Sequence, residues 1–361
     1  KYRPRTLHEL VGQDVNVEIL QNSARAGKIG HAYLFYGSRG TGKTTTARLI
    51  AKLLNCEVLA TNAAAKKRGE PCNECRSCKE IDKNISLDVV EIDAASNRGI
   101  EEIRNLKEHI RTAPAAGRYK VYIIDEAHML TGAAFNALLK TLEEPPAHAV
   151  FILATTEYDK LPATITSRTQ RFIFRKPSKE IIVSKLAHIA KEEKIDADPD
   201  ALELIAAASE GSFRDAESLL DQASTSSKKV SVKSVEEMTG RVGLRRIEQL
   251  AKHIVEKDLE SALKSLSDLS EEGRNVSQVA CDLIHYLRKV LSLSLNANLE
   301  SVFYGELTKD EIATLRALAQ KTKPQELIPL IKSLIRGYGE MRYSPFATIP
   351  IEVALIEHLR T

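Results

Sequence analysis

Residues 32–50, AYLFYGSRGTGKTTTARLI, carry an apolar run into a glycine-rich loop and straight on into a helical pattern. Gly37, Gly42, Lys43 and Thr44 complete the phosphate-loop spacing G-x4-G-K-[ST], which works only with a strand before the loop and a helix after it. The backbone N–H groups of Gly37, Ser38, Gly40, Thr41 and Gly42 then converge on phosphate oxygens, and the helix presents the positive end of its dipole to them. In this reading Lys43 reaches the β- and γ-phosphates and Thr44, followed by Thr45, holds magnesium. The bland alternative is a glycine-rich turn that happens to carry a lysine. The flanking run and helix favour a bound nucleoside triphosphate, without saying what it drives.

At 361 residues the chain exceeds one core of ordinary size, and three domains are expected. Hydrophobic residues at 43% and charged residues at 28% are ordinary for a globular protein. No apolar stretch is long enough to span a bilayer, so no membrane role is indicated. The chain opens at Lys1 with no signal-peptide layout and reads as a trimmed piece of a cytoplasmic protein, lacking sequence at both ends. The net charge of +3 decides nothing about nucleic acid, but residues 1–60 hold nine Lys and Arg against four Asp and Glu, a positive surplus around the loop.

Four of the five cysteines, Cys56, Cys72, Cys75 and Cys78, form a C-x15-C-x2-C-x2-C cluster. Two-residue gaps turn neighbouring thiolates onto one ion and the long gap closes a loop around it, which suits a structural tetrahedral zinc. A pair of disulfides, rarely kept oxidised in the cytosol, and an iron–sulfur cluster are the rivals. Cys281 lies in an apolar helix pattern and reads as a small core residue.

Five apolar runs, 32–36, 87–92, 119–124, 149–154 and 171–174, alternate with helical patterns. This predicts a mostly parallel five-stranded sheet with helices on both faces, and ligands beyond the carboxyl ends of its strands. The third run ends in Asp125 and Glu126: the first suits magnesium or its water, the second the polarisation of an attacking water, although a solvated turn has the same composition. The fourth run ends in Thr155 and Thr156, either a γ-phosphate sensor or an ordinary hydroxyl turn. Residues 177–240 read as helices only, with Ile181, Ile182, Leu186 and Ile189 at helical spacing, and Arg214 in the first turn of a later helix. A cation there opposes the helix dipole and hints at an anion. Residues 241–361 are again helical, with stripes such as Leu244, Ile247, Leu250 and Ile254, and suit packing against partner subunits. No polymerase or nuclease constellation is visible.

These elements, with KYRPRTLHELVGQ, PCNECRSC, EIDAASNRGIEEIR, YKVYIIDEAHMLTGAAFNALLKTLEEPP, FILATTEYDKLPATITSR and GSFRDAESLLDQA, make the chain resemble the bacterial DNA polymerase III gamma/tau family over nearly its whole length. That resemblance implies an AAA+ nucleotide-binding domain over 1–176 with a zinc insert at 56–78, a helical lid over 177–240 and an all-α collar over 241–361. It implies an ATPase that drives a multi-subunit ring with delta, delta-prime and other gamma/tau copies, loading a sliding clamp onto primer-template DNA within a holoenzyme that polymerises elsewhere. By the same resemblance Tyr2, Arg3, Val11 and Gly12 wrap the adenine and ribose, and Lys43, Asp125 and Glu126 serve hydrolysis with ATP and Mg²⁺. Thr156 beside Thr155 is the first sensor and Arg214 the second. Arg168 is a finger acting on a neighbour's nucleotide, although Thr169 stands where the family has cysteine. Asn97, Arg98 and Arg104 face DNA backbone phosphates, against the plain alternative of a solvated Asn-Arg-Gly turn. A hexameric DNA translocase and a scaffold with a vestigial site are the rival functions.

Overall fold

The five apolar runs become β1 (Ala32–Gly37), β2 (Val89–Asp93), β3 (Lys120–Asp125), β4 (Ala149–Thr155) and β5 (Gln170–Phe174) in the computed structural model. The structure describes residues 2–97, 99, 106, 108–226, 228–239, 242–303, 307 and 309–360. The strands form one parallel sheet in the order β2-β3-β4-β1-β5. The central strands β3 and β4 are buried almost throughout and read as unbroken apolar runs, whereas β5 at the edge is exposed at Gln170, Arg171 and Ile173.

Alternation along the strands feeds two cores. On one face Tyr33, Phe35, Val121, Ile123, Val150 and Ile152 pack with Leu49, Ile50 and Leu53 of the helix Lys43–Asn55. On the other, Ala32, Leu34, Tyr122, Ile124, Phe151 and Leu153 pack with Phe135 and Leu138 of the helix Gly132–Glu143. The registers Tyr36↔Thr155 and Asp93↔Asp125 bring the strand ends to one edge, with β1 between β4 and β5. Since β1 sits between the two later strands, the crevice at its carboxyl end is where such a sheet binds ligands.

The chain gathers into two compact units, one comprising Lys1–Pro177 with Gly211–Arg214 and the other Ser178–Glu210 with Asp215–Thr361. Residues 211–214 join the first unit because they lie on the phosphate loop, where Phe213 N–H donates to the Gly40 carbonyl at 3.1 Å.

The second unit opens with the helices Lys179–Glu193 and Pro199–Ala208. The expectation of helices only over 177–240 needs one correction: Asp196–Ala197 and Lys229–Val230 pair as a two-residue parallel ladder. Two connecting segments run side by side there and exchange backbone hydrogen bonds, and Val230 is buried, a pairing too short to leave a period in the sequence. Further on, Leu244–Val255, Leu259–Glu271, Val276–Leu295, Lys309–Lys321, Pro324–Met341 and Ile349–Leu359 surround a core that includes Leu250, Leu266, Leu283, Leu315, Leu334 and Leu355. Lys179 is held between Glu203 at 3.0 Å and Glu311 at 2.8 Å, joining the early and late helices of this unit. Among the described residues no helix is long and apolar enough to cross a membrane.

Candidate nucleotide site and four-cysteine cluster

The phosphate loop leaves β1 at Gly37, whose φ of 140° and close approach to the Phe174 carbonyl exclude any side chain. Gly40, at φ 72°, lies directly under Ser212; a Cβ there would stand 2.7 Å from the serine Cβ. Thr41 donates to the Ser38 carbonyl at 2.8 Å, and Thr46 to the Gly42 carbonyl at 2.9 Å, tying the loop to the first helical turn. Lys43 Nζ donates to the carbonyls of Gly37 and Ser38, both at 2.8 Å, and is buried. Burial, helped by nearby Arg214, pulls its pKa below the ordinary lysine value against the opposing carboxylates of Glu126 and Asp125. Thr44 Oγ1 donates to Asp125 Oδ2 at 2.7 Å, so the two residues read as magnesium ligands stand side by side; Thr45 beside them is half-buried.

Beyond β3 the chain turns at Glu126, which holds a left-handed φ of 48°. A non-glycine residue held there costs about 1 kcal/mol or more, and such strain collects at sites of function. The turn aims the Glu126 carboxylate at Thr156, whose N–H and hydroxyl donate to it at 3.3 and 3.0 Å. The two threonines therefore divide. Thr155 is fully buried, and its hydroxyl meets His128 Nδ1 at 2.9 Å and accepts from Glu157 N–H at 3.0 Å. Of the two threonines, Thr156 is the one that bonds the acid.

The opening segment reaches the same loop through Leu10, 3.7 Å from where a Gly42 Cβ would lie. Leu7 and Leu10 are buried, Val11 is exposed, and Gly12 turns at φ 75° into the helix Asp14–Ala26. Gln13 and Asn16 then donate to the carbonyls of Arg175 and Ile173, fastening that helix to β5. Tyr2 is half-buried and Arg3 exposed in the segment ahead. Arg214 occupies the second position of the helix Phe213–Ser226. Arg168 lies at the foot of β5, away from the loop: it donates to the Thr164 carbonyl at 2.7 Å and pairs with Glu143. Asn97 turns its amide back onto the Asp93 carbonyl at 3.1 Å. Arg98 and Arg104 lie outside the described residues.

The four cysteine sulfurs lie within 4.8 Å of one another, with Cys72 and Cys78 4.0 Å apart. A tetrahedral zinc with bonds of about 2.3 Å sets sulfurs about 3.8 Å apart, so the cluster fits such an ion, and all four cysteines are free. Backbone N–H groups already point at the sulfurs, from Cys75 to Cys72 at 3.3 Å and from Cys78 to Cys75 at 3.5 Å. Hydrogen bonding among the sulfurs pulls the Cys56 thiol below its ordinary value, and the same interaction with burial pushes that of Cys78 above it.

Sequence reasoning missed His128, Glu143 and Lys52. The histidine follows the acid pair by two residues, a signal within reach. Glu143 gives none, being one acid of a helix end. Lys52 is a lone lysine among apolar helix positions, which reads as surface until its burial is seen.

Three family descriptions match the chain in series: "DNA polymerase III, delta subunit" over residues 12–178, "DNA polymerase III clamp loader subunit, ATPase lid domain" over 181–229, and "DNA polymerase III subunits gamma and tau domain III" over 230–360. The DNA polymerase III subunit tau of Bacillus subtilis is 42% identical over 100% of this chain and 62% of that protein. The subunit tau of Escherichia coli is 39% identical over 99% of this chain and 54% of its own length. The subunit gamma of Buchnera aphidicola subsp. Schizaphis graminum is 37% identical and matches 99% of this chain and 96% of itself. The chain thus spans little more than half of the tau relatives and nearly all of the gamma one. Among solved structures, the Thermotoga maritima RuvB Holliday junction branch migration motor shares the fold at a TM-score of 0.50 and 19% identity, covering 76% of this chain and 86% of that one.

Proposed function

Because the chain belongs to the DNA polymerase III gamma/tau family, we propose that it is the ATP-hydrolysing subunit of a clamp loader, with the catalytic site at the carboxyl ends of β1, β3 and β4. The observation that carries this reading is the convergence of Lys43, Thr44, Asp125, Glu126 and Thr156 at one sheet edge, with Thr44 2.7 Å from Asp125 and Thr156 3.0 Å from Glu126. Loop N–H groups and Lys43 bind the triphosphate, Thr44 and Asp125 hold magnesium, and Glu126 orients the attacking water and takes its proton. Magnesium, when bound, neutralises charge on the transferring phosphoryl group. Thr156 holds Glu126 in place and senses the γ-phosphate. Arg214, brought to the loop by residues 211–214, reports the same phosphate to the helices that follow.

The division is into a nucleotide-binding domain over 1–176, a lid over 177–240 and a collar over 241–361, in a cytoplasmic protein whose four-cysteine cluster holds zinc. Arg168, remote from its own chain's loop, acts on the nucleotide of a neighbouring subunit in a ring with delta, delta-prime and further gamma/tau copies. The ring binds the sliding clamp and primed DNA, with Asn97, Arg98 and Arg104 toward the DNA. The test is ATPase measured on the chain alone and with sister subunits, clamp and primed DNA. Arg168→Ala is expected to leave nucleotide affinity intact and cut only the assembled rate, by about 10³-fold or more; Lys43→Ala is expected to abolish binding. Full turnover by the isolated chain, or an unchanged assembled rate in Arg168→Ala, would overturn the shared-site reading.

A further inference from the structure

One helix, Lys43–Asn55, begins in the phosphate loop and ends at Cys56, the first residue of the four-cysteine cluster and the C-cap of that helix. It is buried almost all round: ten of its thirteen residues are inaccessible, including Leu49, Ile50, Leu53 and Leu54. The sheet covers one side. On another side lies the segment that carries Cys72, Cys75 and Cys78, here called the knuckle, whose Ile81, in the helix Arg76–Asp82, belongs to the same apolar core. Between helix and knuckle sits Lys52, 1% exposed, its ammonium 2.5 Å from Asp82 and 2.9 Å from the Asn73 side-chain oxygen. Asn73 stands between Cys72 and Cys75 at a left-handed φ of 60°, and Asp82 lies one turn beyond Cys78. A single buried cation therefore grips the knuckle before and after its last two cysteines, Cys75 and Cys78. Lysine is almost never so buried without paired oxygens.

We propose that metal loading of the four-cysteine knuckle sets the nucleotide affinity of the phosphate loop, and that Lys52 is the positioning residue that transmits it. The inference rests on the reading above, in which the loop binds ATP and the cysteines bind zinc. Without the ion, the four cysteine sulfurs have no common centre to bind and the knuckle loses the constraint that holds Asn73 and Asp82 in place. Lys52 would then lose its two oxygen partners, and with them the tie that holds the helix against the knuckle, so that the helix shifts its face toward water. A thirteen-residue helix is a rod of about 20 Å, so a shift at Lys52 displaces Lys43, Thr44 and the loop before them.

The experiment titrates the full chain with a slowly hydrolysed ATP analogue and magnesium, zinc-loaded and chelator-stripped, with bound zinc measured in each sample. Stripping is expected to weaken analogue binding by about tenfold, a usual size for coupling between sites. Lys52→Met with its zinc retained should show the same loss, and stripping it should add little. Should that variant fail to fold, Asp82→Asn, which keeps the shape and removes the partner charge, is expected to give a loss of the same direction. Affinity within twofold of the zinc-loaded chain, in the stripped protein or in the folded variants, would overturn the inference while leaving the reading of both sites intact. A wild-type chain that retains no zinc or binds no analogue would instead sink that reading, and the inference with it.

Discussion

Gly40→Ala probes the joint between the phosphate loop and residues 211–214. The new methyl group would lie 2.7 Å from Ser212 Cβ and 3.0 Å from its Cα, with the hydroxyl closer still, on a backbone at φ 72°. Left-handed backbone costs a non-glycine residue about 1 kcal/mol. Overpacking a tight contact adds about 1–3 kcal/mol. Alanine retains the N–H that a phosphate would meet, so the loss falls on the docking of Ser212 and Phe213 rather than on the loop's donors. If nucleotide binding requires that docking, the sum of about 2–4 kcal/mol weakens affinity by about 30-fold to several hundred-fold. The assay is equilibrium titration with a fluorescent ATP analogue, with far-UV circular dichroism to verify folding. Pairing the change with Ser212→Gly removes the serine Cβ and hydroxyl but not the backbone strain, so the double variant should recover to within about fivefold of wild type. Affinity within twofold of wild type for Gly40→Ala alone, or a double variant no better than the single one, would refute the reasoning.

Thr156→Val removes the hydroxyl that donates to Glu126 at 3.0 Å and is expected to cut assembled ATP turnover at least tenfold with analogue affinity within threefold; an unchanged rate would detach Thr156 from the site. Asp88 is buried and accepts from the N–H groups of Ala115, Ala116 and Gly117 at 2.6, 2.9 and 2.5 Å. Burial pushes its carboxyl up, but these bonds together with Lys120 hold it below the ordinary value. Its stabilisation is therefore present above the usual carboxylate range and lost as pH falls through the folded value. Asp88→Asn is expected to cost about 2–3 kcal/mol in urea melts at pH 7 and less at pH 3, and a cost independent of pH would contradict this. Leu283→Ala empties a fully buried position in the helical core of the second unit and should cost about 2–5 kcal/mol in the same melts.

Much of this molecule was legible in advance because its signals are local. A glycine loop with its lysine, acids at the end of an apolar run, and cysteines two residues apart each state their chemistry within a few positions of chain. The five strands were readable for the same reason: buried parallel strands are continuous apolar runs, and their bounds shift by at most two residues in the structure. What eluded reading is the part made of distance. The ladder of Asp196–Ala197 with Lys229–Val230 joins segments more than thirty residues apart and carries too few residues to show a period.

By itself, the sequence determined the fold class, the sheet and the identity of the candidate ligands, because backbone conformation and burial follow from nearby residue types. Only the tertiary structure decided which of two adjacent threonines faces Glu126, that Arg168 pairs with Glu143 away from its own loop, and that Lys52 is enclosed beneath the cysteine knuckle. Those outcomes depend on which surfaces meet after folding. A side chain's charge and reach are written in its own letter, but its partner is written elsewhere in the chain.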